Sequence, residues 1–323
     1  DTAINKGITE VLFLGDLFHD RQKMDTYGYV KTYDVFEEYL YANPKFNLYL
    51  LVGNHDMYFF KRWDISSVKP LRAFPTVTVI DKPCTLGIGK HAVDFLPYTH
   101  NPSEDLSKIE SPAHELLCAH IAVDGAKLNL HYSTHSEVQV EHDGDMVIVG
   151  SDVYADWDQV FLGHYHGPQK IGINAEYVGS PLQLSFGEAF EDKHIIIYDL
   201  DTKKKEYVKN DFSPVHYIIP VEERSNYSLE GNYVKLLTED LGTTEVIDLQ
   251  RELEDGKVAS FEIKPVPKQA DEHLIEDAKA ILYNQDEMLE RYVDEVDKNG
   301  GLGDLKKEKL LSVGARFCEE IAS

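Results

Sequence analysis

Leu12-Phe13-Leu14-Gly15-Asp16-Leu17-Phe18-His19-Asp20-Arg21 is the stretch on which the reading of this chain turns. The apolar run Val11 to Leu14 reads as a strand buried on both faces. It stops at Gly15 and delivers a carboxylate, Asp16. In open α/β sheets ligands gather just beyond the carboxyl ends of strands. An Asp lifted there by a glycine turn can aim both oxygens at a metal. The pattern then repeats. Phe46 to Val52 ends in Gly53-Asn54-His55-Asp56, Leu116 to Ala119 ends in His120, and Val160 to Leu162 ends in Gly163-His164-Tyr165-His166. Taken singly, each has a bland explanation: Gly-Asp or Gly-Asn as a turn, His120 as a hydrogen-bonded core histidine. Four runs in series point to one site that collects oxygen and nitrogen ligands.

The chemistry follows from the donor types. Two divalent cations a few ångströms apart clamp the attacking and leaving oxygens of a phosphate displacement. Such a pair needs a bridging carboxylate, hard oxygens and imidazoles. Mn²⁺ accepts that mixture, with Mg²⁺ possible, whereas an all-oxygen cage suits Mg²⁺ or Ca²⁺. Asp16 is the natural bridge, Asn54 offers an amide oxygen, and His120, His164 and His166 offer ring nitrogens. His55 stands beside a ligand, and Asp56 after it is placed to hold its ring nitrogen and fix the tautomer. His55 is therefore the candidate general acid for the leaving oxygen. Tyr58 to Trp63 is aromatic and basic; Lys61 and Arg62, with Arg21 and Lys23 earlier, are candidate phosphate contacts. Ordinary packing explains the aromatics equally well.

Outward from these motifs, the coarse fold is α/β. Asp25 to Ala42 has helical spacing and stops at Asn43-Pro44. It links the first two strands as a βαβ unit with a parallel pair. Val77 to Ile80 is a further strand, and Cys84 to Tyr98 a hairpin turning at Gly87-Ile88-Gly89. Asp124 to Asp145 is a long polar stretch with His131, His135 and His142, read as a functional flap. His194 to Leu200 and Glu206 to Lys209 form a second hairpin. The texture changes near Pro214. Residues 215–265 read as strand, strand, helix, strand, an appended α+β module. Beyond the Pro265-Val266-Pro267 linker, residues 268–323 carry two amphipathic helices, Glu272 to Val296 and Asp304 to Ile321.

Composition excludes little. The 323 residues are 42% hydrophobic with a net charge of −25, which argues against nucleic-acid binding through bulk electrostatics. Metal ions and local basic residues can reverse that sign at a cleft. No stretch approaches a membrane span and no secretory signal is visible. Three scattered cysteines, Cys84, Cys118 and Cys318, read as reduced thiols of a cytosolic protein.

Together, Gly15-Asp16, Gly53-Asn54-His55-Asp56, His120 and Gly163-His164-Tyr165-His166 resemble the calcineurin-like metallophosphoesterases. Gly15-Asp16-Leu17-Phe18-His19 and the run Gly179-Ser180-Pro181-Leu182-Gln183-Leu184-Ser185-Phe186 resemble the SbcD-type DNA repair nucleases and their tailed-phage counterparts. The resemblance covers residues 1–215 well and the remainder weakly. It implies a metallophosphoesterase β-sandwich flanked by helices over residues 1–214, a small DNA-facing cap domain over 215–265, and C-terminal helices (268–323) that dock on an SbcC-like coiled-coil ATPase. It implies Mn²⁺-dependent exonuclease and endonuclease activity on DNA, a homodimer, and a cytoplasmic location, the host cytoplasm if phage-encoded. Asp16 would bridge the metals, Asn54, His120 and His164 complete one, and His166 serve the other. His55 would protonate the leaving group, with His19 near the scissile phosphate. The family opens with a strand ending in Asp-x-His that gives the His166 metal two more ligands. That strand is expected before Asp1, so the polypeptide as it stands is expected to hold one metal well and the second poorly. A phosphatase or nucleotide phosphodiesterase on the same scaffold, and a non-catalytic docking platform, are the rival readings.

Overall fold

The computed structural model describes residues 2–21, 23–59, 61–129, 132–133, 148–238 and 241–265. The two amphipathic helices expected beyond residue 268, and His131, His135 and His142 of the expected flap, lie outside these residues. The chain divides into two compact units, residues 1–213 and one beginning at Pro214.

The first unit is mixed α/β, as its alternating apolar runs require. Strands Glu10–Phe13, Asn47–Leu51 and Val77–Ile80 pair in parallel in that order. The helix Thr26–Ala42 makes the crossover between the first two. It starts where Asp25 accepts the Gly28 amide proton at 2.7 Å, an N-cap that satisfies an otherwise orphaned donor. The helix's Leu40, Tyr33 and Phe36 pack with Leu48, Leu50 and Phe74 on one side of this sheet.

A six-stranded mixed sheet carries the rest. Its order is Gln169–Ile171, Ala175–Tyr177, Gln159–Gly163, Leu116–His120, His91–Leu96, Cys84–Ile88. The outer pairs are antiparallel and the inner ones parallel. The Cys84–Ile88 hairpin turns at Gly89-Lys90, not at Gly87-Ile88-Gly89. Gly87 sits in the ladder opposite Ala92, and Ile88 pairs with His91, so only two residues remain for the turn.

An apolar layer joins the two sheets. Leu14, Leu51 and Ile80 come from the parallel sheet, and Val93, Phe95, Leu116, Cys118 and Phe161 from the mixed one. Tyr49 and Phe95 stack across it with ring centroids 6.4 Å apart. The far face of the mixed sheet packs on a third cluster containing Leu117, Val160, Leu162, Trp157 and Tyr177. Strands buried on both faces explain why the sequence shows continuous apolar runs instead of alternation. Where the sheets meet, the Tyr98 amide donates to the Val52 carbonyl at 2.9 Å, tying their carboxyl ends together. The hairpin His194–Tyr198/Lys205–Lys209 lies outside both sheets' ladders.

The second unit has strands His216–Pro220, Tyr233–Thr238 and Ser260–Pro265 in one parallel sheet, with the helix Thr243–Asp255 before the last. Leu249 and Leu253 of the helix close on Ile219, Val234 and Leu236.

One buried carboxylate holds three separated segments of the first unit. Asp94, fully buried, accepts from Trp157 Nε1 (2.7 Å), Ala113 N (2.7 Å), His114 N (3.1 Å) and Thr85 Oγ1 (2.5 Å). Asp94→Ala leaves these donors stranded. It should lower stability by roughly 3 kcal/mol or more, read as a shifted midpoint in urea unfolding with an unchanged slope.

Candidate metal centre

Each donor of the site is delivered by a strand that runs out. Asp16 follows Glu10–Phe13 and Asn54 follows Asn47–Leu51, both in the parallel sheet. His120 ends Leu116–His120, and His164 follows Gln159–Gly163, neighbours in the mixed sheet with Gly163 paired to His120. The donors thus come two from each sheet and meet at the sheets' shared end.

Close approach is possible because the linking residues lack side chains. A Cβ on Gly15, whose φ is +99°, would collide with His120 Nδ1 and lie 2.9 Å from the Gly53 backbone. A Cβ on Gly53 would collide with Asp16 Oδ1 and lie 2.7 Å from His120 Cε1. Two non-glycine residues here also adopt left-handed backbone, Asp16 (φ +60°) and His164 (φ +101°). Such conformations cost on the order of 1–3 kcal/mol each. What over-determines the Asp16 turn is Asp56. Its buried carboxylate accepts from Asp16 N (2.8 Å), Gly53 N (2.9 Å), Leu17 N (3.1 Å) and Ser67 Oγ (3.2 Å). Burial and the neighbouring Asp16 push the Asp56 pKa upward, partly offset by those amide donors.

Asp16 Oδ1 accepts the His55 amide proton at 2.8 Å. Its Oδ2 lies 3.1 Å from His120 Nε2. His120 is fully buried and gives its Nδ1 proton to the Leu14 carbonyl (2.6 Å). Nε2 then faces Asp16 and, at 3.0 Å, Asn54 Oδ1. His164 Nδ1 lies 3.0 Å from the same Asn54 oxygen. Turned the other way, the Asn54 amide would donate to all three, at 3.0, 3.0 and 3.2 Å, and accept from Arg21 Nη2 at 3.2 Å. Ligand atoms of Asp16, His120 and His164 all lie within 4.8 Å of one another. A carboxylate, an amide oxygen and two imidazoles in that space suit a borderline divalent cation.

The electrostatics follow from this packing. Burial alone would raise the Asp16 pKa, but His120, His164 and His55 around it hold the carboxyl well below the usual range. Burial alone would discharge His120, yet Asp16 beside it makes the net direction upward. His164, buried and next to His120, is pushed down to about 3 and stays neutral, as a ligand must be.

His55 and His19 flank this cluster with rings stacked at 5.2 Å. His55 Nδ1 meets the His19 carbonyl at 2.6 Å. Asp56 does not hold the His55 ring, contrary to the expectation from adjacency. Its side chain turns under the loop to the backbone amides, and the His19 carbonyl fixes the ring instead. Arg21 is half-buried by Asn54, whereas Lys23 and Lys61 are exposed. Arg62 is paired bidentately with Asp64 (2.9 and 2.5 Å) and lies over the Phe59 ring. The aromatic run splits: Trp63 donates to the Tyr98 carbonyl at 2.7 Å, while Tyr58 and Phe59 are exposed.

His166 stands apart from the three-residue cluster. Its Nδ1 lies 2.9 Å from Glu188 Oε1. Burial would raise Glu188, but His166 and Lys193 hold it down at about 2. Sequence reading missed Glu188 and Lys193, although the run beginning at Gly179 stood out as a motif. A carboxylate closing a mostly apolar, small-residue run was the available signal.

A scan against models of known protein families finds no match. Curated proteins do match. The chain is 24% identical over 219 residues to exonuclease subunit 1 of Enterobacteria phage T4, covering 65% of this chain and 60% of that protein. It is 27% identical over 217 residues to the SbcD component of the SbcCD nuclease of Staphylococcus saprophyticus, covering 60% and 54%. The SbcD component from Bacillus subtilis is 35% identical over 96 residues, 29% of this chain and 23% of its own. The chain thus spans little more than half the length of the first two. Over these lengths the chain is similar to a phage exonuclease subunit and to SbcD-type nuclease subunits.

Proposed function

We propose that the chain is the nuclease subunit of an SbcC–SbcD-like recombination and repair complex, hydrolysing DNA phosphodiesters at a metal centre. The observation that carries this reading is the convergence of Asp16, Asn54, His120 and His164 from two sheets onto one point. The printed names of the relatives, a phage exonuclease subunit and two SbcCD nuclease subunits, supply the substrate class and the idea of a partner subunit.

On this reading Asp16, Asn54, His120 and His164 would hold Mn²⁺, with Mg²⁺ as a substitute, and His166 would serve a second ion. A cation there polarises a phosphoryl oxygen and makes water a better nucleophile at neutral pH. The chain's own residues do the rest. The Leu14 carbonyl takes the His120 Nδ1 proton and so presents Nε2 inward. The His19 carbonyl takes the His55 Nδ1 proton. His55 would then act as an imidazolium, keeping its Nδ1 proton hydrogen-bonded to the His19 carbonyl and giving its Nε2 proton to the leaving oxygen. On this reading Arg21, Lys23, Lys61 and the exposed Tyr58 and Phe59 would meet the DNA, with Arg62 weakened as a phosphate contact by its tie to Asp64. On this reading residues 1–214 are the nuclease domain, 215–265 the cap, and 268–323 the segment that docks on the ATPase. The protein acts in the cytoplasm as a homodimer.

Two experiments test this. In His55→Ala, cleavage of a labelled DNA duplex in Mn²⁺ should fall about 100-fold or more, with Mn²⁺ affinity by calorimetry unchanged. Asp16→Ala should lose both. Turnover of phosphomonoesters but not DNA would favour the phosphatase reading instead. Calorimetric titration of this chain with Mn²⁺ should give one tight site and a weaker second; two equally tight sites would refute the expectation that the second ion is held poorly.

A further inference from the structure

The half-exposed ring of His166 is not held by packing. A neutral imidazole left to itself samples both tautomers. Yet this residue is gripped at both ends by one buried ion pair. Glu188 and Lys193 are only 5% and 4% exposed. Glu188 Oε1 meets His166 Nδ1 at 2.9 Å. Glu188 Oε2 meets Lys193 Nζ at 2.8 Å, Leu184 N at 3.2 Å and Ser180 Oγ at 3.4 Å. Lys193 Nζ donates to the His166 carbonyl at 2.9 Å and pairs with Glu191 at 2.8 Å. Ser180 N donates to the same carbonyl at 2.9 Å.

Burying two charges is costly, and such pairs are poor sources of stability. What this one does supply is direction. An ionised carboxylate only accepts, so His166 must carry its proton on Nδ1 and keep the lone pair on Nε2. A carboxylate behind an imidazole is the arrangement that orients and strengthens histidine as a metal ligand.

We infer that Glu188, braced by Lys193, is a positioning residue that fixes the His166 ring so that Nε2 is offered to the second cation. The inference rests on the metal-centre reading given under Proposed function.

Glu188→Gln tests it without a change of shape. Oε2 faces three donors, so the glutamine oxygen should turn to them and its NH₂ toward the imidazole. His166 must then accept at Nδ1 and carry its proton on Nε2. Ring-nitrogen NMR of the full chain, ¹⁵N-labelled at histidine and recorded at about pH 8, reads this directly, with His166 assigned from His166→Gln. Wild type should be protonated at Nδ1 and E188Q at Nε2. In parallel Mn²⁺ calorimetry, E188Q should keep the tight site and lose about 10–100-fold in affinity for the second ion. An unchanged tautomer in E188Q overturns the inference, as does a switched tautomer with unchanged second-ion affinity. Uptake of a single ion by wild type also overturns it, while leaving the Asp16 site intact. No Mn²⁺ uptake at all would instead sink the metal reading itself.

Discussion

Lone pairs that face one another across 3 Å call for a donor or a cation between them, and this constraint organises the first unit. Because the Leu14 carbonyl takes the Nδ1 proton of His120, the other nitrogen looks inward at Asp16 and Asn54. His164 looks at the same amide. Buried acceptors without a donor are costly by several kcal/mol. Three things can relieve them: the Asn54 amide turned to donate, a proton, or a cation. The upward push on His120 and the downward push on Asp16 are the protonic form of that demand. The neutrality of His164 fits the metallic form, since a protonated ring has no pair to give.

The backbone is bent to keep the acceptors there. Asp16 and His164 both take left-handed conformations that their side chains disfavour, and the two glycines leave no room for a Cβ. Asp56 stabilises the Asp16 bend by collecting three amide protons and a hydroxyl from residues 16, 17, 53 and 67. It thus ties the ends of two strands into a single rigid edge. An outlier of this kind, held by a buried carboxylate, is an observed strain from which a functional site can be inferred.

The donors were legible in the sequence because each sits at the end of an apolar run, and a strand buried on both faces announces its own end. The long helix Thr26–Ala42 was legible for a similar reason, with its stop at Asn43-Pro44 written into the chain. What was not legible depended on side-chain direction. His55 and Asp56 are adjacent, but in the turn their side chains diverge, one toward the His19 carbonyl and the other beneath the loop. Glu188 and Lys193 lie 22 and 27 residues past His166, and only the return of the chain after Tyr177 brings them back to it. The Gly87-Ile88-Gly89 run looked like a turn because glycine is common there, yet pairing of Ile88 with His91 puts the turn at Gly89-Lys90.

A chain with a net charge of −25 is an unpromising partner for DNA at long range. Arg62 is already paired with Asp64. On the proposed reading, attraction for a phosphate would be local and supplied by the centre itself, where a divalent ion would outweigh the surrounding carboxylates at contact distance. Under the proposed reading, this ties recognition to loading: without a cation the cleft repels the backbone it is built to cut. It also gives the buried, oriented donors a second task, because the ion that polarises the phosphate is then the ion that binds it.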